Sequence, residues 1–200
     1  MNRLSKKYVN EEDDLDIDTD DNENIKVIGN DIYFYSDINT QSILDLTIII
    51  KNLTNKLLIN QIQYNLDFEQ NINLHIKSDG GDVFAGLSIL KLIQDNKIDI
   101  YSYIEGSVCS AATLIALICK KRYITEHSYM LIHNISSDFW GKMHEIEDEM
   151  KNLTSLTKNL KKIYTKHSSI TLKQLDSLLK KDLLLDAKTC KRFGFIDEII

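Results

Sequence analysis

The chain has 200 residues, 43% of them hydrophobic, which suits one domain with a sizeable core. Its net charge of −6 arises in residues 1–25, where nine acidic side chains meet three basic ones, and the remainder carries twenty-one of each sign. A body with no basic excess excludes phosphate-driven nucleic-acid binding, and the richest apolar run, Ala111–Cys119, is too short to span a bilayer.

Residues 1–26 read as an acidic, self-repelling, disordered tail. The spacing Asp14-x-Asp16-x-Asp18 starts like a calcium loop, but Thr19 stands where such a loop needs glycine and Ile25 where it needs glutamate. The N-terminus has no apolar core of a secretory signal. Cys109, Cys119 and Cys190 are odd in number and lack metal-ligand spacing. They fit free thiols in a reducing compartment, so a cytoplasmic protein without a bound metal is expected. Proline is absent, a bias that points to the source genome's composition rather than to function.

Asp31–Tyr35 predicts a short buried strand, and Asn39 or Thr40 can cap a helix running to about Leu53. The stretch from Thr54 to Gln70 is harder to place and reads as a helical insertion. Asn71–Lys77 alternates as a strand, broken by Ser78-Asp79-Gly80-Gly81, and Val83–Ile93 follows as a helix with Val83, Leu87, Leu90 and Ile93 on one face. Ile98–Ile104 is the next strand, and an apolar helix starts at Ser110. Arg122–Ile124 and Tyr129–Ile132 read as two short strands, the second ending at His133. A long charged helix covers about 142–167. Thr171-x-x-Gln174 is a capping box, Asp186 caps a last helix, and Gly194 ends it. Alternating strands and helices argue an α/β layered fold.

Three residues of this series can carry a shared chemistry. Ser110 sits at a helix start, where the helix terminus favours developing negative charge. His133 sits at a strand end and Asp182 in a loop between helices, places from which side chains converge on a cleft. Serine-based hydrolysis needs such a base, an orienting carboxylate and donors for the oxyanion. Taken singly, each has a plainer reading: a small packing serine, a structural histidine, a surface carboxylate. Cys109 beside Ser110 is a less favoured nucleophile, because neighbours on a helix face different ways. His75 is expected to face a neighbouring layer, and His127, His144 and His167 to be solvated. The paired glycines Gly80-Gly81 can turn backbone N–H groups toward a carbonyl oxygen. Neither a Walker loop nor Gly-x-Gly-x-x-Gly nor Gly-x-Ser-x-Gly is present, which excludes the common nucleotide loops and the α/β-hydrolase elbow.

Together, residues 72–200 resemble ClpP, the proteolytic subunit of the ATP-dependent Clp protease. The family's strand and Ser-Pro-Gly-Gly look like Ile76-Lys77-Ser78-Asp79-Gly80-Gly81, with Ala85-Gly86 following. Its Ala-Ser-Met-Gly-Ala segment is similar to Cys109–Thr113, and its Met-Ile-His-Gln-Pro segment to Leu131–Ile135. Its triad aspartate matches Asp182 before Leu183–Ala187, and its closing Gly-Leu-Ile-Asp matches Gly194–Asp197. Residues 31–53 match the family's first strand and helix more weakly.

The resemblance implies a ClpP/crotonase-like spiral of strand-strand-helix units over residues 27–200, with a protruding helical handle at about 134–167. It implies heptameric rings, stacked in pairs, that hydrolyse unfolded polypeptides, fed by an AAA+ unfoldase that alone would use ATP. No other cofactor is implied. Ser110 would be the nucleophile, His133 the base and Asp182 its orienting partner, with the backbone N–H groups of Gly81 and Ala111 as oxyanion donors. The chain departs from the family at Asp79 and Ile135, where the family has proline, and at Ala112, where it has glycine. Ser136-Ser137-Asp138 lacks the handle's glycine pair. Lys180-Lys181 replace an Asp-Arg pair that contacts the opposite ring, and the acidic tail stands in place of the axial segment. Two rivals remain: a non-catalytic ring subunit, and a crotonase-fold acyl-CoA enzyme that would use the glycine loop but leave the three residues without a shared role.

Overall fold

The computed structural model describes residues 24–65 and 70–200. The acidic tail up to residue 23, including the Asp14–Asp18 spacing, lies outside the described residues. The described part is a mixed α/β fold in which one twisted sheet carries the site at the ends of its strands.

Strands β1 (Ile25–Ile28) and β2 (Asp31–Phe34) form an antiparallel hairpin, with Ile25, Ile32 and Phe34 essentially buried. β1 thus begins two residues inside the stretch read as tail. Helix α1 (Thr40–Gln63) starts where expected: the Asn39 side chain accepts the Ser42 N–H, and the Ser42 hydroxyl accepts that of Asn39. It runs ten residues past Leu53 because no glycine or proline interrupts it and Thr54 and Leu57 still face the core. The expected insertion is thus largely a prolongation of α1.

β3 (Asn71–Ser78) pairs in parallel with β2 and with β4 (Asp99–Cys109), joined to the latter through helix α2 (Val83–Gln94). The Asp82 carboxylate caps α2 by accepting the Phe84 and Ala85 N–H groups. β4 is longer than predicted and changes partners along its length. Tyr101–Ile104 pair with β5 (Lys121–Ile124), and Ser107–Cys109 pair with β6 (Tyr129–Leu131). Gly106, at φ +75°, lies between the two pairings and lets the strand turn from one to the other. Between β4 and β5 runs helix α3 (Ala111–Ile118), all eight residues of which are buried, as befits a helix whose one polar side chain is Thr113.

Residues 132–142 have no regular structure and lead into α4 (Met143–His167), a mostly exposed helix whose one buried residue is Tyr164. Helix α5 (Leu172–Leu178) opens on the expected Thr171–Gln174 capping box. β7 (Leu184–Asp186) pairs antiparallel with β6. Helix α6 (Ala187–Phe193) is capped by Asp186 and closed by Gly194 in the left-handed conformation, and β8 (Glu198–Ile199) then pairs with β5.

The Arg122 guanidinium gathers the C-terminal part. It donates to both carboxylate oxygens of Asp197 and to the carbonyls of His167 and Gly194. His167 is accordingly half-buried, not solvated, and burial and the nearby Lys166 and Arg122 charges push its pKa down. His75 stacks between Tyr33 and Tyr103, with ring centroids 4.5 and 4.9 Å apart, on the half-exposed face of the sheet. It meets Glu105 at 2.9 Å instead of packing against another layer. Among the described residues no helix is long and apolar enough to cross a membrane, and no cluster of His, Cys, Asp or Glu could hold a metal.

Candidate active site

Strand register brings the three candidate residues to one end of the sheet. Cys109 of β4 lies beside Leu131 of β6, so Ser110 and His133 follow the ends of two neighbouring parallel strands. The Ser110 N–H donates to the Leu131 carbonyl at 2.8 Å, which ties the two strand ends together. Across β6, Leu131 pairs with Leu184 of antiparallel β7. Continuing that antiparallel register two residues outward sets His133 opposite Asp182. The His133 Nδ1 and an Asp182 carboxylate oxygen are 3.7 Å apart. Their side chains differ in setting, His133 being 27% exposed and Asp182 82% exposed. At this separation the two are near neighbours, and closing by about 0.8 Å would bring them to hydrogen-bonding distance.

Ser110 has φ +52° and ψ −126°, a backbone conformation that β-carbon sterics disfavour for any residue but glycine. Such strain persists only where the surroundings hold it. Here its N–H is pinned by Leu131, while its carbonyl accepts from the Thr113 N–H at 3.0 Å and the Thr113 hydroxyl at 2.6 Å. Gly80 closes over it so tightly that no side chain would fit. The sharp turn between β4 and α3 leaves the Ser110 side chain uninvolved in capping the helix and lining a cleft.

That cleft has a volume of about 320 Å³. Gly81, Ser110, Ala111 and His133 line its polar end, and Leu114, Leu153, Leu156 and Leu160 contribute an apolar wall. The glycine loop is fixed from the side away from the cleft: Ile38 donates to the Gly80 carbonyl at 2.7 Å, and Asp82 donates to the Ile38 carbonyl at 2.8 Å. Gly81, at φ +137°, sits between these bonds, where a β-carbon would collide with the Ile38 carbonyl oxygen. The N–H groups of Gly81 and Ala111 make no hydrogen bond with any described residue and border the same cleft as Ser110. Two unpaired donors flanking a hydroxyl form an arrangement that can receive an oxygen anion.

Cys109 does not share this setting. It is the last residue of β4, not a helix residue as expected, and it is buried, which pushes its thiol pKa up and disfavours the thiolate. The residues missed by the sequence reasoning are Thr113 and Tyr164, whose hydroxyls meet at 2.5 Å beneath the serine turn. The stripe Leu153, Leu156, Leu160 and Tyr164 at helical spacing along an otherwise charged helix was the available signal for Tyr164.

The fold is similar to that of a point mutant of ClpP1 from Listeria monocytogenes, with a TM-score of 0.70 and 23% identity over 83% of this chain and 88% of that one. At this identity the likeness speaks for the fold. A family model described as Clp protease matches residues 29–200, which include both glycines, the serine turn, His133 and Asp182. The chain belongs to the Clp protease family.

Proposed function

We propose that the chain is a serine endopeptidase in which Ser110 attacks the scissile carbonyl of an unfolded polypeptide. His133 takes the hydroxyl proton as general base and returns it to the leaving amine as general acid. Asp182 holds the imidazole in the tautomer that leaves its other nitrogen free for Ser110. The tetrahedral oxyanion lies between the N–H groups of Gly81 and Ala111, with the N-terminus of α3 adding its dipole. Collapse gives an acyl-serine, and water, activated by His133, releases the product acid. The apolar wall of the cleft favours an apolar side chain next to the bond that is cut.

The observation that carries this reading is the strained serine turn in register with His133. A packing serine has no need of a positive φ, of an immobilised carbonyl and of a cleft shared with a histidine and two unpaired N–H groups. The same features weigh against a non-catalytic ring subunit. They also weigh against an acyl-CoA enzyme, which would leave Ser110 and His133 idle.

The proposal extends to assembly: a heptameric ring, stacking of two rings through the handle, and an AAA+ unfoldase that delivers substrate. Trp140, 97% exposed, and Met143, 73% exposed, supply apolar surface on the handle for such a contact. The protein itself would need no cofactor.

The test is labelling with a fluorophosphonate probe, comparing wild type with Ser110→Ala. A serine adduct absent from the variant is expected. No adduct on an assembled wild-type protein overturns the peptidase reading, and an adduct that persists in the variant moves the nucleophile elsewhere.

A further inference from the structure

Ser110 and Ala111 share one peptide plane, and in a trans peptide the carbonyl and the N–H point in opposite directions. Whatever fixes the Ser110 carbonyl therefore also aims the Ala111 N–H. The carbonyl is held by two donors from a single residue, the Thr113 N–H at 3.0 Å and the Thr113 hydroxyl at 2.6 Å. A hydroxyl has one proton, and that of Thr113 is committed to the carbonyl. At the 2.5 Å contact between the two hydroxyls, the proton must then come from Tyr164. The result is a directed chain: Tyr164 O–H to Thr113 O–H to Ser110 C=O.

The chain is dry. Thr113 is fully buried and Tyr164 is 5% exposed, its ring edge-on to Phe195 at 6.2 Å. Burial lifts the Tyr164 pKa to about 12, so the phenol keeps the proton it donates. Hydrogen bonds in such a setting polarise one another, so the first strengthens the second. Tyr164 is also the one buried residue of α4, flanked by the partly buried Leu160 and Ile163 that pack on the core.

We infer that Tyr164 is a positioning residue for the oxyanion site, holding the Ser110–Ala111 peptide plane through Thr113 so that the Ala111 N–H faces the cleft. This rests on the peptidase reading above. A plane that tilts weakens the transition state more than substrate binding, because the oxyanion exists only after attack.

The experiment compares Tyr164→Phe, Thr113→Val, Thr113→Ser and the Tyr164→Phe/Thr113→Val double variant with wild type. It reads kcat and KM on a fluorogenic peptide, inhibition by a peptide boronate whose tetrahedral adduct places an oxygen in the oxyanion site, and Tm. Tyr164→Phe and Thr113→Val should each lower kcat and boronate affinity by about tenfold, short of the roughly 10²-fold or greater loss on deleting a donor outright. KM should stay within about twofold, as expected when only transition-state contacts weaken. Thr113→Ser keeps the hydroxyl and should behave as wild type, and the double variant should be no worse than Thr113→Val, since both act on one path.

Variants that lose Tm but keep wild-type kcat and boronate affinity, measured well below Tm, would show a purely structural pair and overturn the inference. Additive losses in the double variant would overturn it too. Should Tyr164→Phe fail to fold, the Thr113→Val and Thr113→Ser comparison decides alone. A wild type that takes no adduct at Ser110 sinks the peptidase reading and this inference with it. A wild type that labels, with variants unaffected, sinks the inference only.

Discussion

A β-carbon placed on Gly80 would stand 2.6 Å from the β-carbon of Ser110. Two chain segments thirty residues apart therefore meet at a distance that only glycine permits, and the glycine loop acts as a template for the serine turn. Gly80→Ala would meet both this clash and the strain of φ +95°. The expected outcome is a loss of at least about 2 kcal/mol of stability, together with slower fluorophosphonate labelling of the fraction that remains folded. Wild-type Tm and labelling rate in this variant would refute the template role.

Gly81→Ala probes the other side of the same loop. The new methyl group strikes the Ile38 carbonyl, so the loop must shift to admit it and carry the Gly81 N–H out of place. Peptide hydrolysis should fall by about 10²-fold or more, as when one oxyanion donor is removed. Circular dichroism and Tm tell whether the fold persists while activity is lost.

Asp182→Asn keeps the shape of the side chain and removes its charge. If Asp182 orients His133, kcat falls by about 10²-fold or more with little change in KM. The high exposure of Asp182 predicts a change of at most about 0.5 kcal/mol in stability. Activity equal to wild type would remove Asp182 from the mechanism and leave a serine–histidine pair.

Arg122→Lys replaces a fork of donors with a point charge. The guanidinium serves Asp197 and the carbonyls of His167 and Gly194 together, and a lysine cannot reach all three. A loss of about 2 kcal/mol is expected, measurable by urea denaturation. The loss should be felt where α4 ends and α6 closes, so hydrogen exchange should rise there first.

The pH dependence of stability has a definite sign on the alkaline side. Burial raises the pKa values of Cys119 and Cys190 from 9.0, and that of Tyr164 from 10.0, to about 12. Between those limits the unfolded chain has released protons that the folded chain still holds, so unfolding becomes easier as pH rises. Stability from these groups is complete below about pH 9 and is lost progressively toward about pH 12. A Tm that stays flat from about pH 8 to about pH 12 would contradict the burial of these three groups.

Much of this arrangement was legible in residue order. Caps at Asn39, Thr171 and Asp186 mark helix starts by a local mechanism that needs no tertiary knowledge, and all three lie where the pattern put them. The alternation of Asn71–Lys77 and the largely apolar run after Ser110 likewise report burial directly. β1 was hidden because four residues following an acidic stretch carry too little periodicity to stand out. The length of α1 was hidden because its last turns set Ile59 and Ile62 on the solvent side, off the buried stripe, so the apolar residues there do not continue its repeat. At the site, the residues that could do chemistry were readable, but the hydroxyl pair of Thr113 and Tyr164 was not. Those two lie fifty-one residues apart, and only the packing of α4 on α3 brings them together.

The change of partner along β4 at Gly106 has a consequence for how this molecule can vary. Ser110 and His133 are held by the outer half of β4 and by β6, and Asp182 faces His133 by way of β7. The long excursion from Asn134 to Lys181 begins and ends at that sheet end without setting the distance between its two ends. Segments of the excursion outside the cleft-lining part of α4 can therefore be lengthened, shortened or recomposed while the spacing of the reactive groups stays constant. Apart from the stretch of α4 that carries Tyr164 and the cleft-lining leucines, the excursion is free to diversify, because the spacing of Ser110, His133 and Asp182 is measured out by the sheet.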